Sequence, residues 1–363
     1  MVAIPEGYTL ASEDLDHVDR RMGGLWKDLD GAHVLITGGT GFFGIWLTES
    51  LLWAIERRGL KADITVLSRS PGPYLAGPGR HLANRRGLQF VQGNITRLPP
   101  GLPRFSHIIH AASESKTAGQ DDWATRHLAA AIEGTQAIIE LASTHRSEAV
   151  LLTTSGAVYK HSDTIINRRY VEGLGSVEDF ASENTLYAQS KRMMEAMVAI
   201  GSQNHGYRAL IARCFAFIGP YLALDSNYAI GNFIRDAMNG NQIVVNGDGT
   251  PLRSYLYSAD LVIWLLTILV KGKSGRPYNV GGERAYSIAE LAHEVLTCVG
   301  AGEVIVRQAA NPAAPISAYL PDIARARSEL GLDVYVDLRD AISRTVDWHR
   351  IRSQSTLQKS PQG

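Results

Sequence analysis

The sequence predicts a doubly wound parallel α/β sheet carrying a smaller mixed α/β lobe. Three observations support that class. Strand-length segments are apolar throughout rather than alternating, helix-length amphipathic segments separate them, and a glycine-rich turn joins the first strand to the helix that follows. A strand covered by helices on both faces has no polar face to show, so its sequence runs continuously apolar.

The elements follow in order. Ser12 to Lys27 reads as a charged helical segment, and "HVLITGG" as the first strand. "FGIWLTESLLWAIERRG" is an amphipathic helix stopped by Gly59. "ADITVLSRS", "LQFVQGN" and "SHIIHAAS" supply three more strands, and a helix covers about Asp122–His145. "AVLLTTS" is a strand, "NTLYAQSKRMMEAMVAIGS" a helix and "YRALIARCF" a strand. Beyond about Cys214 the rhythm breaks. The stretches 214–254 and 286–350 read as the smaller lobe, while 255–285 returns to the main domain at 31–213. Residues 1–30 form a helical extension and 353–363 a polar, disordered tail.

Composition narrows the function classes. Lys plus Arg and Asp plus Glu both number 36, so the formal charge is zero. With no basic block, nothing suggests a nucleic acid or an anionic membrane as partner. The longest apolar run, "LVIWLLTILV" at 261–270, is roughly half a membrane span. The N-terminus lacks a secretory h-region, which predicts a cytoplasmic protein. Cys214 and Cys298 read as unpaired thiols in a reducing compartment. His107 and His110 bracket a strand without metal-type spacing, and no metal is expected. Trp46, Trp53 and Trp264 lie on apolar helix faces and read as core.

"LITGGTGFFG" at 35–44 fits two glycine templates: Gly39, Gly41, Gly44 as GxGxxG, or Gly38, Gly41, Gly44 at even spacing. Either serves a tight turn that brings backbone N–H groups and a helix N-terminus to a pyrophosphate. The 31–213 domain is therefore read as dinucleotide-binding, with Phe42 and Phe43 opening the helix. At the end of the second strand, Ser68 and Arg69 replace the acid that would hold the ribose 2′-OH of NAD. A hydroxyl beside a guanidinium favours the 2′-phosphate of NADP, with NAD the alternative.

Tyr187 and Lys191 stand four apart, on one face of a helix. A free phenol has a pKa of about 10. A neighbouring ammonium and a cationic nicotinamide favour the phenolate, which can then take a proton from a substrate hydroxyl. Lys191 is also placed to hold the nicotinamide ribose. Ser155, at the mouth of "TTSGAVYK", supplies a donor to the reacting oxygen.

Together, "TGGTGFFG", Ser155, Tyr187-x-x-x-Lys191, "RCFAFIGPY", "NGDGTPLRSYLYSADL" and "RPYNVGG" resemble the extended short-chain dehydrogenase/reductases. The resemblance points to their NAD(P)-dependent nucleotide-sugar epimerase/dehydratase family, from about Ala32 to Trp348. It implies a Rossmann domain, a tightly bound NADP or NAD, a nucleoside-diphosphate sugar oxidised transiently at C4, and a homodimer built on a four-helix bundle. It also implies that Asn94, Ile95, Ala111 and Ala112 line the cofactor, and that Arg253 and Asn232 contact the nucleotide. The sequence departs from the family at Asn94, where an acid is common, at Ala131 for an asparagine, and at Ala216 for another.

Dehydratases of this family commonly carry Thr-Asp-Glu where this chain has Ser155-Gly156-Ala157. Without those carboxylates, elimination loses general catalysts worth about 10²–10⁴-fold each. The loop is similar to that of the epimerases, and a 4-epimerase is the expected activity. A dehydratase using Glu114 or Glu183 as surrogate, a uronate decarboxylase and a 4-ketosugar reductase are the alternatives, ahead of a cofactor-binding protein without turnover. Glu114 is also the expected sugar-side contact.

Overall fold

The computed structural model describes residues 3–113, 122–159, 165–166, 169–172, 183–225, 228–300 and 302–357. Its centre is a seven-stranded, wholly parallel sheet. The strands are β1 (His33–Thr37), β2 (Asp63–Ser68), β3 (Leu88–Gln92), β4 (His107–His110), β5 (Ala149–Ser155), and then Arg208–Cys214 and Pro277–Val280. From one edge their order is Pro277–Val280, Arg208–Cys214, β5, β4, β1, β2, β3. The chain leaves β1 in one direction and returns to its other side through β4. The carboxyl ends Thr37 and His110 therefore lie as register partners at the switch point, where open sheets of this kind form their crevice.

Both faces of the sheet are covered, as the apolar strands require. Helices α4 (Trp123–His145) and α5 (Glu183–His205) pack together on one face, over a core that includes Ile138, Met194 and Val198. On the other, α2 (Phe42–Arg58) and α7 (Ser258–Lys271) share a core with Trp46 and Trp264, both fully buried, and Trp53 is buried beside them. The run "LVIWLLTILV" is thus a helix buried in the protein. No helix among the described residues is long and apolar enough to cross a membrane. Cys214 and Cys298 are both free thiols, the first buried and the second half-buried.

The N-terminal helix is shorter than its charge pattern suggested. Helix α1 (Ser12–Met22) stops at Gly23, whose φ of +48° breaks the spiral, and a 3₁₀ turn follows to Leu29. Its Leu15, Val18 and Met22 are buried, and it packs on α7 and α2. Buried Asp14 accepts hydrogen bonds from Tyr257 and from Arg344, each at 2.7 Å. Burial drives the pKa of this carboxyl up, and those two bonds pull against it. Arg344 belongs to the last helix, whose Trp348 Nε1 donates to the Thr9 carbonyl at 2.8 Å. The extension is therefore part of the core. Leu15→Ala is expected to lower stability by about 2–5 kcal/mol. Urea unfolding would show it as an earlier midpoint at unchanged slope; an unmoved midpoint would mean that α1 lies outside the cooperative unit.

The second lobe contains a three-stranded sheet ordered Tyr286–Ser287, Leu252–Arg253, Ala318–Tyr319. Its parallel pairing sets Arg253 opposite Tyr319. Helices α3 (Pro71–Ala76), α6 (Ala229–Met238), α8 (Ile288–Val299) and α9 (Ala324–Leu330) complete the set before α10 (Leu338–Leu357). Helix α10 continues past Ser353, where the tail was expected to begin. Near that point the Arg352 guanidinium lies over the rings of Trp348 and Tyr221.

Candidate active site

The glycine turn settles between its two templates by sterics. Gly38 has a φ of +72°, and a Cβ there would come within 2.8 Å of the Ala111 carbonyl oxygen and 2.9 Å of Ala112 Cα. Gly44 lets the first turn of α2 close onto the backbone of Gly38 and Gly39, and Gly41 caps that helix. Gly39 instead makes room for Val66 on β2. The evenly spaced set Gly38, Gly41, Gly44 therefore shapes the turn, and Gly39 serves packing. The first N–H groups of α2, from Phe42 through Gly44, face outward from a helix N-terminus beside the switch point. This cradle, which no side chain could enter, fits a dinucleotide pyrophosphate. Ala111 and Ala112 form its second wall, held by an Ala112 N–H bond to Thr37 Oγ1 of 3.2 Å.

The other positions expected to line a cofactor follow the carboxyl ends of the neighbouring strands. Ser68 closes β2, its hydroxyl accepting from Ser70 N at 3.3 Å, and Arg69 beside it is exposed. Asn94 Oδ1 accepts from Thr96 N at 3.2 Å, so its acceptor is engaged in a local turn. Ile95 is buried, and a Cβ on Gly134 of α4 would press on its side chain at 3.0 Å.

Ser155, Tyr187 and Lys191 come together between β5 and α5. Burial pushes the Tyr187 phenol up to about 12, while a hydrogen bond with Ser155 pulls it back. Burial lowers the Lys191 ammonium to about 8, and its Nζ lies 5.6 Å from the Tyr187 ring centroid. Burial alone would keep the phenol protonated, so a phenolate here depends on neighbouring positive charge. The Tyr187 ring leans on His127 of α4, which in turn stacks on Trp123. His127 Nε2 meets Ser190 Oγ at 2.8 Å, and Ser190 donates to the Tyr187 carbonyl.

A buried ion pair fixes the next turn of α5. Arg213 donates to both oxygens of Glu195, at 2.9 Å and 2.6 Å, and Thr154 donates to Glu195 at 2.7 Å. Arg213 Nη1 donates to the Tyr159 hydroxyl, which donates to Asn279 Oδ1. One connected network thus ties α5, β5 and the strands Arg208–Cys214 and Pro277–Val280 around the Tyr–Lys pair. Each charge in it is paired, as burial demands.

Sequence reasoning missed several residues here. Tyr319 approaches Ser155 Oγ at 3.4 Å, and its ring packs on Phe215 with centroids 4.8 Å apart. His110, with Nδ1 2.8 Å from Thr37 Oγ1, is held neutral by burial and by Lys191, its pKa lowered to about 3. Cys214 is the register partner of Ser155; burial raises its thiol to about 12, against the pull of Lys191.

Of the expected nucleotide contacts, Asn232 lines a cleft of about 580 Å³ with Arg235, Asn246 and Pro251. Arg253 draws down the phenols of Tyr170 and Tyr255 from the levels their burial sets. Glu114 and the side chain of Glu183 lie outside the described residues.

Comparison with known proteins adds to this geometry. Residues 34–281 match the model described as the NAD dependent epimerase/dehydratase family. The chain is 27% identical over 323 residues to the dTDP-glucose 4,6-dehydratase of Streptomyces niveus, covering 87% of this chain and 92% of that enzyme. It is 26% identical over 322 residues to UDP-glucuronic acid decarboxylase 3 of Arabidopsis thaliana, covering 88% and 89%. Among solved structures, the dTDP-glucose 4,6-dehydratase of Streptomyces venezuelae, with NAD and TYD bound, superposes with a TM-score of 0.74 at 24% identity. That match covers 89% of this chain and 98% of the other, and shares its fold.

Proposed function

Because the chain belongs to the NAD dependent epimerase/dehydratase family, we propose that it is a nucleotide-sugar 4-epimerase. On this reading it oxidises the C4 hydroxyl of a nucleoside-diphosphate sugar and re-reduces the ketone from the opposite face. NAD(P), which the turn at Gly38, Gly41 and Gly44 would hold, would supply a hydride acceptor and donor for C4. Tyr187 takes the proton from the C4 hydroxyl and later gives it back. Ser155 donates a hydrogen bond to the same oxygen, and the charge on Lys191 favours the Tyr187 phenolate. Ser68 and exposed Arg69 support a preference for the 2′-phosphate of NADP.

The carrying observation is the space beside Ser155. A Cβ on Gly156 would meet the Phe215 ring and the Tyr319 hydroxyl, both at 2.7 Å. The position at which dehydratases carry their acid is here filled by aromatic side chains. That favours turnover confined to C4.

A second reading is decarboxylation of a uronate, favoured by the Arabidopsis relatives. It too needs only a C4 ketone, since a β-keto acid loses carbon dioxide readily. Helices α4 and α5 expose Leu128, Met193 and Ile200, which supports a homodimer joined through these helices.

The test is mass spectrometry of nucleotide sugars, uronates included, incubated with the protein in heavy water. An isomer of unchanged mass and no carbon-bound deuterium is expected. Loss of water with deuterium uptake would overturn the epimerase reading in favour of dehydration, and loss of carbon dioxide would favour the decarboxylase.

A further inference from the structure

We propose that Tyr319 is a positioning residue which, from the second lobe, locks the Ser155 hydroxyl into the role of donor toward Tyr187 and the reacting oxygen. The inference deepens the function proposed above and rests on its assignment of Ser155 and Tyr187 as the polar pair at C4.

A serine hydroxyl has one proton and two lone pairs. At Ser155 one lone pair accepts from Ala157 N at 3.1 Å. The Tyr319 hydroxyl stands 3.4 Å from the same oxygen. Ser155 is its hydrogen-bond partner among the described residues, and burial keeps this phenol protonated. With Ala157 N–H on one lone pair and Tyr319 O–H on the other, the serine proton is left to serve Tyr187, whose phenol Ser155 draws down from the level its burial sets. A hydroxyl that could rotate freely would spend part of its time as an acceptor, and would then offer no hydrogen bond to a developing alkoxide or phenolate.

The surroundings are built to hold Tyr319 there. Its ring packs on Phe215 at 4.8 Å and meets Tyr170 edge-on at 6.3 Å. Its backbone is paired with Arg253 in the three-stranded sheet. Gly156 leaves the space that the hydroxyl needs, since any side chain there would collide with it. The absence of an acid after Ser155 and the presence of Tyr319 are two sides of one packing solution.

The experiment is a double-mutant cycle on Ser155→Ala and Tyr319→Phe, using the nucleotide sugar that the wild type turns over. Tyr319→Phe keeps the ring and its contacts, and circular dichroism and thermal melting should match the wild type. Its kcat is expected to fall about tenfold with KM within about twofold, the loss of one hydrogen bond that matters in the transition state. The acid limb of its pH–rate profile should move to higher pH, because Tyr187 has lost part of what favours its phenolate. In the Ser155→Ala background the same change should alter kcat by less than about twofold. An equal fall in both backgrounds, or a raised KM at unchanged kcat, would overturn the proposal.

A readout without sugar separates this from the assignment of function. Ultraviolet titration of NADP-loaded protein, wild type minus Tyr187→Phe, reports the Tyr187 phenol directly. Even if no nucleotide sugar is turned over, Ser155→Ala and Tyr319→Phe should raise that titration alike. A Tyr319→Phe titration that coincides with wild type would sink the proposal whatever the substrate.

Discussion

Tyr187→Phe is expected to lower turnover by about 10³-fold, within the range typical for loss of a positioned acid–base group. The dinucleotide cofactor should remain bound, since the glycine cradle at Gly38, Gly41 and Gly44 does not involve the phenol. The ring keeps its contact with His127, so the variant should fold and melt as the wild type does. Measured with the isomerisation assay, kcat should fall while the cofactor dissociation constant stays within about threefold. Retained turnover would remove Tyr187 from the chemistry and revive a binding protein without catalysis. The pH dependence carries a sign. Burial, offset in part by Ser155, leaves this phenol at about 12, so in wild type activity should rise with pH as positive charge around the site brings the phenolate into range. That rising limb should be missing from the residual activity of Tyr187→Phe.

Lys191→Met is expected to move activity and stability in opposite directions. Burial depresses the Lys191 ammonium from 10.5 to about 8. A depression of that size corresponds to roughly 3 kcal/mol of destabilisation while the folded protein carries the charge. The unfolded chain holds this proton up to about 10.5, whereas the folded protein releases it near 8. Between those values the unfolded state binds more protons, so stability rises with pH through that window. Below about pH 8 the cost is present in full. Cofactor-free Lys191→Met should therefore be more stable than wild type at pH 7, by up to about 3 kcal/mol. The difference should shrink toward pH 10. Turnover should fall at least 10²-fold, because the phenolate then loses its neighbouring ammonium. Denaturant unfolding at the two pH values tests this. A variant less stable at pH 7, or equally stabilised at both, would mean that Lys191 is not strained by its burial. Such a gain would fit the general pattern of function held at the expense of stability.

What the sequence made legible was local. Each central strand announces itself as a short apolar run because both faces of the sheet are covered. The glycine turn and the Tyr187–Lys191 pair are each written within ten residues, and their chemistry follows from spacing on one turn or one helix face. Tyr319 has no such signal. It lies 164 residues from Ser155, on a two-residue strand in an otherwise irregular stretch, and reaches the site only through pairing within the second lobe. The Glu195–Arg213 pair was hidden for a similar reason: a charged residue on an amphipathic helix reads as solvent-facing until its partner strand is placed. Asn94 shows the converse limit. Its place after the third strand implies a cofactor contact, while only the folded chain shows that its amide oxygen also serves a turn onto Thr96, as asparagine readily does.

The joining of the chain's two ends sets an order on its biosynthesis. Asp14 leaves the ribosome 330 residues before Arg344, a wait of tens of seconds at about 5–20 residues per second. Through that interval the carboxylate lacks its ion-pair partner, although Tyr257 and the helices α2 and α7 that cover the first helix have already emerged. The nascent chain can complete its sheet up to Pro277–Val280, but the clasp between its beginning and its end closes only once Arg344 and Trp348 emerge. A polypeptide cut short before Arg344 would keep every residue of the Ser–Tyr–Lys chemistry and still present an unfastened front end. Quality control would thus meet an unclosed clasp on any product that stops short of Arg344.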